Sequence, residues 1–196
     1  MAGTKRQTKD MELITKNYLL EKIYRIKGNN ILRDQALIAF LYLTGARISE
    51  IVKPNQCVKQ EFYPLKAKDI EIEDLNNRKY YLVNNVRILK RKSEKAPKRI
   101  IPIPMDADKA FVDIFTRYFM EVPFNAYLWD ITPQRAWQIV EGATNLYPHY
   151  MRHLRLSHLT KKGMSGSDLK QITGWADEKP ATHYVHLNWR DIAKKM

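Results

Sequence analysis

Three short runs rich in β-branched and aromatic residues, at 70–72, 80–89 and 99–103, interrupt a chain whose other apolar residues recur at helical spacing. Asn76-Asn77 separates the first two runs and a polar break at 93–97 the next two, which reads as three antiparallel strands joined by turns. Upstream, Leu13, Ile14, Tyr18, Leu19 and Ile23 share one helical face, and 31–43 makes a more hydrophobic helix that Gly45 closes. A short helix starts at Arg47. Downstream, 106–120, 132–143, 149–162, 167–172 and 180–187 read as helices, with Asp106, Thr132 and Ser167 near their starts. The expected fold is therefore α+β and mostly helical, with a small three-stranded antiparallel sheet. Residues 1–10 are polar and basic without an apolar period and read as a basic flexible tail, leaving 11–196 as one domain. No separate N-terminal domain is evident, no internal repeat occurs, and the stretch 55–68 reads as an insertion without a clear pattern.

Charge narrows the partner. Lysine and arginine total 34 against 21 acids, a formal net charge of +13 on 196 residues of which 44% are hydrophobic. That balance fits a polyanion partner. An anionic membrane is the other polyanion, but the sequence has no run of about 18 apolar residues and no signal-peptide pattern. The expectation is a soluble cytoplasmic protein with no membrane partner. The single cysteine, Cys57, forbids an intrachain disulfide and a cysteine-based zinc site, in keeping with a reducing compartment. No metal site and no cofactor are expected, and the acids at 71–74 read as surface charge.

Tyr184 stands downstream of two arginine-bearing motifs, Gly45-Ala-Arg47-Ile-Ser-Glu50 and Pro148-His149-Tyr-Met-Arg152-His153. A phenol has a reference pKa near 10, so it attacks phosphorus at neutral pH only if its proton is removed and the developing charge is neutralised. Arg47 and Arg152 each offer a planar fork of donors suited to nonbridging phosphate oxygens. Read alone, Arg47 is a helix arginine paired with Glu50 at i,i+3. His149 and Arg152 share a helix face and can share one phosphate. His149 is the candidate general base or acid, whereas His153 and His158 read as structural hydrogen-bonders. Trp175 can donate one hydrogen bond but cannot shuttle a proton. Lys90, Arg91, Lys92, Lys95, Lys98 and Arg99 make a basic hairpin for phosphate backbone, and Arg155 and Lys161 extend that surface along the 149–162 helix. Lys90 and Lys92 share strand parity. Tyr118, Tyr147 and Tyr150 compete with Tyr184 on residue type alone.

Four segments in order, Leu43-Thr-Gly-Ala-Arg47-Ile-Ser-Glu50-Ile51, His149-Tyr-Met-Arg152-His153, Leu169-Lys-Gln-Ile-Thr-Gly-Trp175 and Tyr184 nine residues on, carry a resemblance to the tyrosine recombinase (phage integrase) family. It covers about 32–187, and Ser157-His158-Leu159 and Lys162-Gly163 continue it. The resemblance implies a DNA breaking and rejoining domain in which Arg47, His149, Arg152 and Trp175 surround the nucleophile Tyr184, with Glu50 in support. Trp175 stands where most members have histidine. The hairpin lysine that protonates the leaving 5′-oxygen in the family corresponds to Lys92, with Lys90 the alternative. The implied reaction forms a 3′-phosphotyrosyl link and a free 5′-hydroxyl and needs neither ATP nor a metal. The implied partners are double-stranded DNA and further copies of the chain, as a tetramer on DNA, in the host cell of a virus or mobile element. A type IB topoisomerase, a hairpin resolvase and a noncatalytic DNA-binding protein on the same fold remain as alternatives.

Overall fold

The computed structural model describes residues 14–52, 64–88 and 98–184. The hairpin residues Lys90, Arg91, Lys92 and Lys95, the tail 1–10 and most of the 55–68 stretch lie outside them. Helices α1 (Lys16–Tyr24), α2 (Ile31–Thr44) and α3 (Ile48–Ile51) are followed by strands β1 (Ile70–Leu75), β2 (Arg78–Arg87) and β3 (Lys98–Pro104). Helices α4 (Lys109–Phe119), α5 (Pro133–Thr144), α6 (Pro148–Lys161) and α7 (Gly166–Thr173) complete the order, with a 3-10 turn at Lys179–His183 before Tyr184.

Helix α2 is the axis of the fold. Every residue from Gln35 to Thr44 is buried, so the helix is covered on all sides, by α1, α4, α5, α6 and β3. Its start at Asn30 has no side-chain cap. A cap is worth about 1 kcal/mol, whereas each fully buried Leu, Ile or Phe contributes about 1.5–3 kcal/mol, so packing fixes this helix. Gly45 ends it in the left-handed conformation, φ 61°, and its N–H bonds the Leu41 carbonyl. Aromatic rings fill the space between α2 and α4, where Phe40 meets Phe115 at 4.9 Å and Trp129 at 5.6 Å.

The sheet is antiparallel in the order β1-β2-β3. Asn76 and Asn77 both take positive φ between the paired Leu75 and Arg78, the two-residue turn that asparagine tolerates best after glycine. A register shift between Val83 and Val86 marks a bulge, with Asn85 at φ 60°. Along β3 burial alternates, so Lys98, Ile100 and Pro102 face outward while Arg99, Ile101 and Ile103 face the core.

The expected fold class stands, with local corrections. Helix α4 begins at Lys109, after Asp108 in the left-handed conformation, rather than at Asp106. Asp108 is held there because its buried carboxylate accepts from Lys16 and, at 2.7 Å, from Arg155, tying α1 and α6 to the start of α4. Helix α7 is capped by Ser165, not Ser167: the Ser165 N–H donates to Asp168, whose own N–H donates back to the serine hydroxyl. The expected helix over 180–187 is a 3-10 turn as far as His183 with Tyr184 as its C-cap, and 185–187 lie outside the described residues. Of the insertion, 64–68 is ordered by the 124–128 loop, through Ala67 N–H to Ala126, Lys68 N–H to Phe124 and Leu128 N–H to Leu65.

Candidate active site

Glu50 organises the site. Its carboxylate is buried, accepts the Arg47 N–H and Nη1 at 2.8 Å each, and accepts Arg99 Nη2 at 2.7 Å. Burial alone would push this carboxyl up, but the charge and hydrogen bond of Arg99, the Arg47 amide and the charge of Arg152 overturn that and hold it below the usual range. Arg47 precedes the first turn of α3 and is half-buried, positioned by the αL break at Gly45 and by its own pairing to Glu50.

Arg152 reaches the same place from α6. It is 1% exposed, donates Nη1 to the Gly45 carbonyl at 2.7 Å, and sets its guanidinium 5.6 Å from the Trp175 ring. Burial, then the charge of Arg47, lowers its pKa to about 10, still well above neutrality. Three guanidiniums, Arg47, Arg99 and Arg152, thus gather around one carboxylate. The local excess of positive charge favours an anion that brings no proton of its own, as a phosphodiester does.

Gly174 closes α7 at φ 71° and lies so close to the sheet that a Cβ there would fall 2.5 Å from Ile88 Cδ1. Only glycine allows this approach, which delivers Trp175 to the site. The Trp175 and Tyr184 rings stack at 5.8 Å and 19°. Tyr184 is 7% exposed within a small apolar cluster of Leu156, Leu159, Leu169 and Ala181, separate from the main core. Burial raises the pKa of its phenol, a shift opposed by the charges of Arg152 and Arg47.

The hydroxyl of Tyr184 lies 2.8 Å from Nδ1 of His153. The sequence reading gives the tyrosine's imidazole to His149 and a structural role to His153. In the structure the ring at the hydroxyl is His153, and His149, exposed one turn earlier, sets its ring at 4.7 Å and 88° against it. The structural role fits His158, whose Nδ1 lies 3.0 Å from the Tyr42 hydroxyl. Of the competing tyrosines, Tyr118 donates to the Leu128 carbonyl and Tyr150 accepts the Ile14 N–H, while Tyr147 lies edge-on to Tyr150 and near enough to Tyr184 for its charge to act on that phenol.

Of the expected DNA-binding side chains, Lys98 and Lys161 are exposed, and Lys98 donates to Asn85. Arg99 and Arg155 are corrections. Strand parity turns Arg99 inward to Glu50, and Arg155 is buried against Asp108. The parity of Arg99 with Ile101 and Ile103 was readable in the sequence, but its partner 49 residues away was not. Among the described residues no cluster of His, Cys, Asp and Glu could hold a metal, and no helix is long and apolar enough to cross a membrane.

Known proteins resemble the chain in sequence and in fold. The Tyrosine recombinase XerC of Staphylococcus carnosus is 24% identical over 168 residues, covering 85% of this chain and 53% of the relative. The fold matches that of XerH site-specific recombinase bound to difH substrate in a pre-cleavage complex, with a TM-score of 0.58 and 18% identity over 91% of this chain and 50% of the other. It also matches the Tn1549 transposon integrase in complex with transposon right end DNA, with a TM-score of 0.55 and 19% identity over 96% of this chain and 67% of the other. The chain spans about half the length of the XerC relative. The Phage integrase family model matches residues 14–190, nearly the whole chain, and the protein belongs to that family.

Proposed function

We propose that the chain is the strand-transfer unit of a site-specific DNA recombinase. The observation that carries this is the enclosure of one phenol, Tyr184, by an imidazole and by the charges of Arg47 and Arg152. In this reading the two arginines clamp the nonbridging oxygens of the scissile phosphate, and His149 and Trp175 add hydrogen bonds to it. Glu50 and Arg99 hold Arg47 in place. Tyr184 attacks phosphorus and the 5′-oxygen leaves, taking a proton from Lys92, with Lys90 the alternative donor. A partner strand's 5′-hydroxyl then reverses the step. The substrate is duplex DNA, bound through Lys98, Lys161 and the hairpin cations Arg91 and Lys95, and two sites are brought together by several copies of the chain. The DNA-bound state of the XerH and Tn1549 neighbours supports a DNA substrate, and the transposon origin of the latter favours a mobile element as the source.

The test is a duplex covering the DNA beside the coding gene, nicked near each candidate site so that the cleaved end diffuses away. The unaltered chain should form a covalent adduct that peptide mapping places on Tyr184. Tyr184→Phe removes one oxygen and should bind the duplex as before while forming no adduct. An adduct on Tyr147 or Tyr150, or adduct formation by the phenylalanine variant, would overturn the assignment.

A further inference from the structure

The roles just given leave the contact between Tyr184 and His153 unused. A phenol that attacks phosphorus must shed its proton as the bond forms, and the acceptor must stand within hydrogen-bond reach, about 2.6–3.2 Å between heavy atoms. Nδ1 of His153 meets that distance at 2.8 Å. Because Tyr184 is buried in its own apolar cluster, bulk water is a poor competitor for the proton.

The surroundings of this imidazole set its state. Arg152 from the same helix and His183 from the 3-10 turn face it, the His149 ring lies edge-on, and the Tyr184 ring tilts over it at 5.5 Å. Burial, then the charges of Arg152 and His183, holds its pKa below the ordinary histidine value. At neutral pH His153 is therefore uncharged, and a Tyr184 hydroxyl that donates to Nδ1 places the ring proton on Nε2.

We infer that His153 is a further catalytic residue, the group that takes the Tyr184 proton during cleavage and returns it during rejoining. This rests on the strand-transfer reading above. In the forward step the Oη–P bond forms, the P–O5′ bond breaks, the phenolic proton passes to Nδ1, and the 5′-oxygen takes a separate proton from the hairpin lysine. In reverse, the imidazolium gives its proton back to Oη as the phosphotyrosyl bond breaks. Arg47 and Arg152 serve both directions by holding the phosphorane's charge.

Asparagine separates this role from packing, because its Oδ1 can accept the phenolic hydrogen bond at the position of Nδ1 but cannot carry the proton away. Single-turnover cleavage of the nicked duplex would be followed from pH 5 to pH 8 for the unaltered chain, His153→Asn and His149→Asn. A second substrate would carry sulfur at the bridging 5′ position, a leaving group that needs no proton. For the unaltered chain the rate should fall in acid as His153 is protonated. His153→Asn should lose that acid limb, cleave about 10²–10⁴-fold more slowly, bind duplex normally, and gain nothing specific from the sulfur. His149→Asn should keep the limb. Cleavage by His153→Asn at the unaltered rate, or loss of the limb in His149→Asn instead, would overturn the assignment. A measurement without DNA stands beside it: ¹⁵N spectra of the full chain should show His153 as the Nε2–H tautomer, titrating below the ordinary value, and an Nδ1–H tautomer would also overturn it. If the unaltered chain forms no adduct although the tautomer is as expected, the strand-transfer reading falls and takes this role with it. If both unaltered chain and His153→Asn cleave alike, only the role of His153 falls.

Discussion

At the scale of single residues, the site depends on charges that are expensive to bury unless they answer one another. Arg152 is 1% exposed and burial, Arg47 and Arg99 all lower its pKa, yet the charge of Glu50 opposes them and it stays protonated, with a pKa of about 10, while the Gly45 carbonyl fixes one edge of the fork. Arg152→Ala and Arg47→Ala should each slow adduct formation by about 10²–10³-fold, the scale of losing one preorganised donor to a developing oxyanion. Duplex binding should fall far less, and equal losses in both assays would reduce the pair to backbone contacts. The pairing of Arg47 with Glu50 was legible in the sequence because both partners sit within one helical turn. The pairing of Arg99 with Glu50 was not, since strand parity gives a side but no partner. The choice of His153 over His149 was hidden for a related reason. Both lie on one face of α6, and only the return of the chain through the 3-10 turn decides which of them meets Tyr184.

At the scale of elements, α6 works on two sides. Arg152 and His153 serve the site, while Arg155 and His158 bind the helix to α2, α1 and the start of α4 through Tyr42 and Asp108. Burial, then the charges of Lys16 and Lys161, lowers the pKa of His158 to about 4. Above the ordinary value near 6.5 His158 is neutral in folded and unfolded chains alike, so its contribution to stability is fully present. As pH falls from 6.5 toward 4 the unfolded chain takes up a proton that the folded chain refuses, and that contribution is lost. The Tm should therefore drop across this window, with His153 adding in the same direction. His158→Gln should flatten part of the drop, and an unchanged profile would show that His158 titrates normally. The elements themselves were mostly readable from periodicity and turn residues. Helix starts were less so. Ser165 with Asp168 three residues on was a capping signal in plain view, whereas the left-handed Asp108 owes its place to Lys16 and Arg155, far along the chain.

At the scale of the whole molecule, a formal net charge of +13 predicts duplex affinity that falls steeply with salt. Several phosphate contacts give a slope of log affinity on log salt of about −4 or steeper, at roughly −0.9 per contact. Lys98→Ala with Lys161→Ala should flatten that slope by about 2. Arg155→Ala should leave the slope alone and instead destabilise the fold by about 1.5–3 kcal/mol, the scale of losing one hydrogen bond to a charged group, because Asp108 keeps its partner Lys16. A slope near zero would remove DNA as the partner. The division of the apolar interior has a kinetic consequence. Tyr184 belongs to a minor cluster of five buried residues rather than to the core around α2, so its anchorage can open without the domain unfolding. Amide hydrogens at 181–184 should exchange with deuterium much faster than those of 35–44, and they should do so through a local opening whose rate is insensitive to low denaturant. On the proposed strand-transfer reading, Tyr184 would then be withdrawn and presented on its own clock, and the tempo of that reaction would be set by a few residues, at little expense to the scaffold that holds the arginines.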